Sequence, residues 1–272
     1  LQKICLMHGM EVDYYKKLFQ TIGNIIELIE KDDIPKYLLF LENAFPYMDN
    51  YNYHKGMNGI IQELTGLLKT KNIGTDSDRA LLLDFQAALE TKPEKAIKLE
   101  KDALAQIENI TADNARLVSN LHANLGGLYR MNGHPDLARE HMEKSISLLD
   151  QFNLLHINDS IPQIANYAMF LTEQQEPERG ISELQKLSGI IKEYHSDDCL
   201  DYAKVQETLG TIYLMTANLP QAKTHFKRAF KIYEKIWADE PEMIEAKYQE
   251  IQELYPQIGF CIGKNLSGLL TK

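Results

Sequence analysis

Cysteine is scarce in this chain of 272 residues: Cys5, Cys199 and Cys261 are widely spaced, and no two of them form a CxxC pair. A disulfide framework or a cysteine-based zinc site needs more cysteines at shorter spacings, so we expect neither. Reduced thiols are typical of a reducing compartment, and we therefore expect a cytoplasmic protein. The eight histidines are scattered, so we expect no metal and no other cofactor.

Long hydrophobic runs are also absent. No stretch approaches the roughly 18 apolar residues of a membrane-spanning helix, and the opening LQKICLMHGM is too short for a signal peptide. The first residue is Leu rather than Met, so we expect a fragment or a processed chain. The formal net charge is −10. Because so acidic a surface repels phosphate backbones and anionic lipids, we expect neither a nucleic acid nor a membrane as partner.

Motifs that carry out chemistry are missing as well. The sequence contains no HExxH metal motif, no GxSxG nucleophile motif and no His/Cys cluster. The stretch HSDD, residues 195–198, is interpreted as a helix end followed by a new N-cap, with metal binding as the alternative. We therefore predict that the chain is not an enzyme.

An internal repeat is what the sequence does contain. Residues 209–230, LGTIYLMTANLPQAKTHFKRAF, echo residues 125–146, LGGLYRMNGHPDLAREHMEKSI. Steps of 42 residues join four small residues: Ala96, Ala138, Gly180 and Ala222. A bulky apolar residue follows four positions after each of them, except that Glu100 follows Ala96. A fixed period of this length predicts a tandem array of similar structural units.

A turn with breaker residues precedes each of these small residues. The prolines in these turns are Pro93, Pro135, Pro177 and Pro220. Proline is favoured at the start of a helix, so each unit is predicted to be a helix, a short turn and a second helix. Pro241 begins a last amphipathic pattern, β-type alternation is absent, and no Gly/Ser/Pro-rich linker divides the chain. We therefore predict an all-α fold.

These units resemble the tetratricopeptide repeat, whose first helix carries Leu-Gly and Tyr and whose second carries Ala, an aromatic residue and Ala. The best-preserved unit fills all six places, with Leu209, Gly210, Tyr213, Ala222, Phe226 and Ala229. The earlier unit offers Leu125, Gly126, Tyr129, Ala138 and Met142. The 42-residue period exceeds the usual period of about 34 and is similar to the long repeats of kinesin light chains.

The resemblance implies a right-handed α-α superhelix, a solenoid of stacked antiparallel helix pairs. On this basis we expect an N-terminal helical segment over residues 1–34, about five repeats over residues 35–237, and capping helices over residues 238–272. The structural core of the two best repeats is assigned to the signature residues named above.

The resemblance also implies function: the groove lined by first helices binds a peptide or protein segment. An Asn before the Leu-Gly pair often holds the peptide backbone, and Asn124 and Asn166 occupy that place, whereas Thr208 replaces it in the next repeat. The alternative is that Asn124 only bonds a neighbouring helix. The expected groove residues are Asn120, Asn124, Asn166, Met169, Lys204, Thr208 and Thr211. The carboxylate clamp that grips chaperone tails is disfavoured, because only Asn166 and Lys204 match it.

Two further roles stay open from the sequence. The segment over about residues 1–70 resembles the region that follows the nucleotide-binding part of STAND-type (NB-ARC-like) signalling ATPases, so this chain could be the sensor of such an ATPase encoded upstream. A peptide-pheromone-responsive regulator is the other alternative. The mixed charges of residues 223–253 are interpreted as a solvated face.

Overall fold

The computed structural model of the protein describes residues 33–39, 41 and 54–254. These residues form helices joined by turns and contain no strand, which confirms the all-α prediction for this part of the chain. The chain divides into two compact units, one ending at Ala138 and one beginning at Arg139. The predicted N-terminal segment lies almost wholly outside the described residues, as does the predicted cap after Leu254.

The first unit contains the helices that lie before Pro135. Residues 34–39 are helical, and the next helices are α1 (His54–Lys71), α2 (Asp76–Ala88), α3 (Pro93–Ala105) and α4 (Ala115–Met131). Helix α2 begins with a reciprocal cap, in which Asp78 N donates to Thr75 Oγ1 at 3.1 Å and Thr75 N donates to Asp78 Oδ2 at 2.6 Å. Helix α2 packs against α1, α3 and α4.

The second unit contains the remaining helices. They are α5 (Pro135–Gln151, whose first residues belong to the first unit), α6 (Ser160–Glu173), α7 (Pro177–Tyr194), α8 (Leu200–Met215), α9 (Leu219–Ile236) and α10 (Pro241–Leu254). Helix α6 packs against α7 and α8, and α8 packs against α7 and α9. One apolar core, running from Leu149 to Ile251, joins these helices. Within the described residues, no helix is both long enough and apolar enough to cross a membrane.

The turns inside the pairs repeat one geometry. Gly133, Gln175 and Ala217 each follow the end of a first helix and have positive φ values of 76°, 64° and 58°. In the last turn Asn218 N donates to Tyr213 O at 2.7 Å, which closes the helix with the bond of a Schellman cap. The same bond joins His134 N to Tyr129 O and Glu176 N to Leu171 O, so this cap ends α4, α6 and α8, and the next helices begin at residues 135, 177 and 219.

Small residues allow the helices of a pair to approach closely. A Cβ added to Gly180 of α7 would lie 2.6 Å from Ala168 O of α6, and one added to Gly210 of α8 would lie 2.9 Å from Phe226 Cδ2 of α9. The backbone contact at Gly180 cannot relax by a side-chain movement. Gly180 is therefore a close crossing point.

Candidate peptide-binding surface

Helix α6 is exposed along one narrow stripe only. Its accessible residues are Pro162, Ala165, Asn166, Met169 and Glu173, and every other residue of the helix is buried. Their spacing of three or four residues places them on one face. Asn166 and Met169, both expected from the sequence in a peptide-binding groove, therefore lie on the part of α6 that a ligand can reach.

Helix α8 has a corresponding stripe. Lys204 is exposed, and Thr208 and Thr211 are partly exposed at spacings of four and three residues. The Thr208 hydroxyl donates to Lys204 O at 3.0 Å, within its own helix. Lys204 Nζ lies 3.7 Å from Asp201 Oδ1 one turn earlier, so its charge is paired only at the surface. Helices α6 and α8 are in contact within the second unit.

Polar bonds behind α8 fix which face of that helix points outward. Gln206 is only 2% exposed, and its Nε2 donates to Ser188 Oγ at 3.1 Å. Its Oε1 lies 2.9 Å from His225 Nδ1 and therefore accepts a hydrogen bond from that ring. Burial, with a smaller contribution from the Arg228 charge, lowers the pKa of His225, which agrees with a neutral ring bonded in this way. The Lys204 side of α8 is thereby left to the solvent.

An ion-pair network holds α6 in a similar manner. Tyr167 of α6 donates its hydroxyl to Glu143 Oε1 at 2.7 Å. Arg179 pairs with two carboxylates: its Nη2 lies 3.3 Å from Glu143 Oε1, and its Nη1 lies 2.5 Å from Glu176 Oε2. Arg139 Nη2 also donates to Glu176, to Oε1 at 2.6 Å. Burial raises the pKa of Tyr167, and the hydrogen bond to Glu143 raises it further, so the phenol stays protonated. The network fixes the Tyr167 side of α6 inward and leaves Asn166 outside.

The expected groove asparagine of the first unit makes a hydrogen bond to a neighbouring helix. Asn124 of α4 is exposed, and its Nδ2 donates to Asp84 Oδ1 of α2 at 2.8 Å. The bond to a neighbouring helix, given above as the alternative for Asn124, is therefore present. Asn120 is partly buried one turn earlier on the same stripe. In this geometry the Asn124 amide is already engaged, unlike that of Asn166.

Sequence reasoning did not foresee the acidic pair behind Asn124. Glu100 of α3 is 2% exposed and interacts with Asp84 and Asn124, while its Oε2 has no hydrogen-bond partner among the described residues. Burial raises the pKa of Glu100 to about 10, and the negative charge of Asp84 adds to the shift. Glu100 is therefore protonated at neutral pH. The signal for it was in the sequence, because Glu100 interrupts the apolar pattern.

The remaining sequence-predicted residues are structural in position. All of the signature residues are buried except Tyr213, whose ring stacks on His225 with the centroids 5.3 Å apart. The HSDD stretch begins with His195, the C-cap of α7, and the N-cap of the next helix is Cys199, whose Sγ accepts from Tyr202 N. Within the part of the chain that the structure describes, no group of three His, Cys, Asp or Glu side chains could hold a metal ion.

Comparison with known protein families finds a match within the second unit. The tetratricopeptide repeat family matches residues 160–235, the part of the chain that contains α6 to α9. No curated protein sequence matches the chain.

Solved structures of repeat proteins are similar over most of the chain. BtubC (BKLC) from P. vanneervenii has 16% identity and a TM-score of 0.55, with 87% of this chain and 92% of that chain covered. The nearly identical TPR-like repeats of a candidate kinesin light chain from Podosopora anserina match at 14% identity and a TM-score of 0.56, covering 72% of this chain and 93% of that one. A single-substitution variant of those repeats matches at 13% identity and a TM-score of 0.59, with 77% and 99% covered. The fold of this protein is therefore that of TPR solenoid structures.

Proposed function

We propose that the exposed stripes of α6 and α8 bind an extended peptide or protein segment, and that the protein acts through this binding without a chemical step. The observation that carries the proposal is the state of Asn166. Its carboxamide is exposed on the only accessible stripe of α6 and makes no hydrogen bond with any residue that the structure describes. A carboxamide offers both a donor and an acceptor, which matches the N–H and C=O of an extended backbone.

The surroundings of Asn166 suit a peptide. Met169, one turn later, is partly buried against the core and offers a deformable apolar surface to a ligand side chain. Lys204 on the neighbouring helix adds a positive charge for an acidic group. Because the buried networks behind α6 and α8 fix both helices, binding would require little reordering of the surface. The TPR match to this part of the chain supports the same role.

The test is selection from a random peptide library on the full 272-residue chain, followed by calorimetry with the selected peptides. We expect Asn166→Ala to weaken binding by about three- to tenfold, the value of one or two hydrogen bonds. Asn158→Ala removes another exposed carboxamide, one outside the α6 stripe, and is the matched control. Selection of no peptide, or peptides that bind Asn166→Ala and wild type equally well, would overturn the proposal.

A further inference from the structure

Helix α9 carries a concentration of positive charge that contrasts with the rest of the chain. It contains Lys223, Lys227, Arg228, Lys231 and Lys235 but only one acidic residue, Glu234. All five basic side chains are exposed. In a chain with a net charge of −10, this local excess cannot be explained by general solubility, which the acidic residues already provide.

The basic residues in the second half of α9 line a pocket. At the ends of α7 and α9, beside the start of α8, an open pocket of about 370 Å³ is present in the second unit. Its lining residues are Lys192, Asp197, Asp198, Tyr202, Arg228, Lys231, Ile232 and Lys235. None of the residues assigned above to the peptide-binding surface contributes to it, so it is a separate site.

The charges of the pocket are only partly neutralised. Lys235 pairs with Asp198, and Lys192 Nζ lies 4.0 Å from Asp197 Oδ2. The hydrogen bond from Lys235 lowers the pKa of Asp198, and Lys231 contributes to that shift from longer range, so Asp198 is ionised. Arg228 and Lys231 have no carboxylate within 4.0 Å among the described residues. With four cations and two carboxylates, the pocket keeps an excess of two positive charges.

We propose that this pocket binds the carboxylate side chains of an acidic peptide segment, with Arg228 and Lys231 as the two unpaired cations. Arg228 can hold a carboxylate through two parallel hydrogen bonds, and Lys231 adds a mobile point charge. Tyr202 and Ile232 offer apolar surface for the methylene groups of a Glu side chain. This binding site goes beyond the peptide-binding surface of α6 and α8.

The pocket fits a peptide better than a polyphosphate or a lipid surface. Asp197 and Asp198 lie among the cations and would repel the continuous negative charge of a nucleic acid backbone. A flat anionic membrane cannot reach into a concave pocket, whereas a single side chain can. A peptide of mixed composition can place its carboxylates at the cations and its backbone N–H groups beside the two aspartates.

The experiment measures fluorescence polarisation of a labelled oligo-glutamate peptide with the full chain, and uses oligo-glutamine of the same length as the uncharged probe. We expect binding of oligo-glutamate only, and a loss of about five- to tenfold in affinity for R228Q/K231Q, because two surface charge contacts are removed. K223Q/K227Q removes the same charge from exposed positions of α9 outside the pocket, and we expect it to bind nearly as well as wild type.

Three outcomes would overturn the proposal. The first is no binding of oligo-glutamate, and the second is an equal loss in both double variants, which would indicate attraction by the whole helix rather than by the pocket. The third is tighter binding of a single-stranded oligonucleotide or of phosphatidylserine vesicles, abolished by R228Q/K231Q. Asn166→Ala should leave oligo-glutamate binding unchanged, which keeps this test independent of the proposed function above.

Discussion

The helix pairs α2/α3 and α8/α9 place opposite kinds of side chain in the same position of the repeat. Four residues after the small residue of the second helix, the first pair has Glu100 and the last has Phe226. Both are buried, at 2% and 0% exposure. Phe226 fills the space above Gly210, whereas Glu100 meets Asp84 and Asn124. The position in the repeat therefore determines that the side chain is buried, whether that side chain is apolar or acidic.

Burial has a different energetic effect on each of these two side chains. An aromatic ring gains free energy from burial through the hydrophobic effect and close packing. A carboxylate loses its hydration, so Glu100 is buried as the neutral acid, with its pKa raised. The first pair therefore contains a residue that opposes its stability, and the last pair contains one that supports it.

The largest effect is expected when the phenylalanine of the α8/α9 pair is replaced by the acidic residue found in the α2/α3 pair. We expect Phe226→Glu to lower the free energy of unfolding by about 4 kcal/mol or more, because it removes the packed ring and buries a carboxyl without the Asp84 and Asn124 neighbours. Urea unfolding followed by the fluorescence of Trp237 measures this loss, since that ring is the only tryptophan and stacks on Tyr233 of α9. Phe226→Leu, the residue type found at Leu184, should cost much less. A Phe226→Glu protein as stable as wild type would contradict the packing argument.

The converse change should help the first pair. We expect Glu100→Leu to raise the free energy of unfolding by about 1–3 kcal/mol at about pH 8, because it removes a buried polar atom without a partner. Urea unfolding followed by far-UV circular dichroism measures the gain. Glu94→Leu changes an exposed residue of the same helix and should have little effect. A loss of stability in Glu100→Leu would show that the Glu100 carboxyl supports the fold.

The pH dependence of that gain follows from the pKa. The folded pKa of Glu100, about 10, lies above the ordinary value of 4.5. The stability contributed by its bound proton is therefore fully present below about 4.5 and is lost as the pH rises towards 10, by up to about 1.4 kcal/mol per pH unit. The advantage of Glu100→Leu should grow from about pH 5 to about pH 8. An advantage that does not change with pH would contradict the raised pKa.

A smaller difference between the two pairs lies in their turns. No residue of the turn 89–92 has a positive φ, whereas Ala217 has φ 58° in the turn between α8 and α9. Because a Cβ disfavours this conformation, Ala217→Gly should raise the free energy of unfolding by about 1 kcal/mol. Gly133→Ala is the converse control, since φ is 76° at Gly133 and an added Cβ would meet no atom within 4 Å. We expect this variant to lose stability, and the loss to come from the backbone conformation alone. Thermal unfolding measures both, and a lower melting temperature for Ala217→Gly would contradict the strain.

The sequence predicted the regular parts of the fold well. Proline and breaker residues indicated the starts of the second helices, and the period of small residues indicated where helices approach. Of the expected groove residues, Asn166, Met169, Lys204, Thr208 and Thr211 lie on accessible stripes, and their role in binding stays a prediction. Asn124 was not distinguished from Asn166, because its bond to Asp84 joins residues 40 positions apart and no local pattern reveals it.

The sequence by itself determined the all-α class, the helix–turn–helix units and the spacing of their small residues, because these depend on local propensity and on short-range periodicity. Only the tertiary structure decided the rest. It buried Glu100 as a neutral acid, left the Asn166 amide without a hydrogen bond to any residue that the structure describes, and brought Lys192 beside Arg228 and Lys231 in one pocket. The physical reason is common to all three: each depends on which helices pack together, and therefore on contacts between residues far apart in the chain.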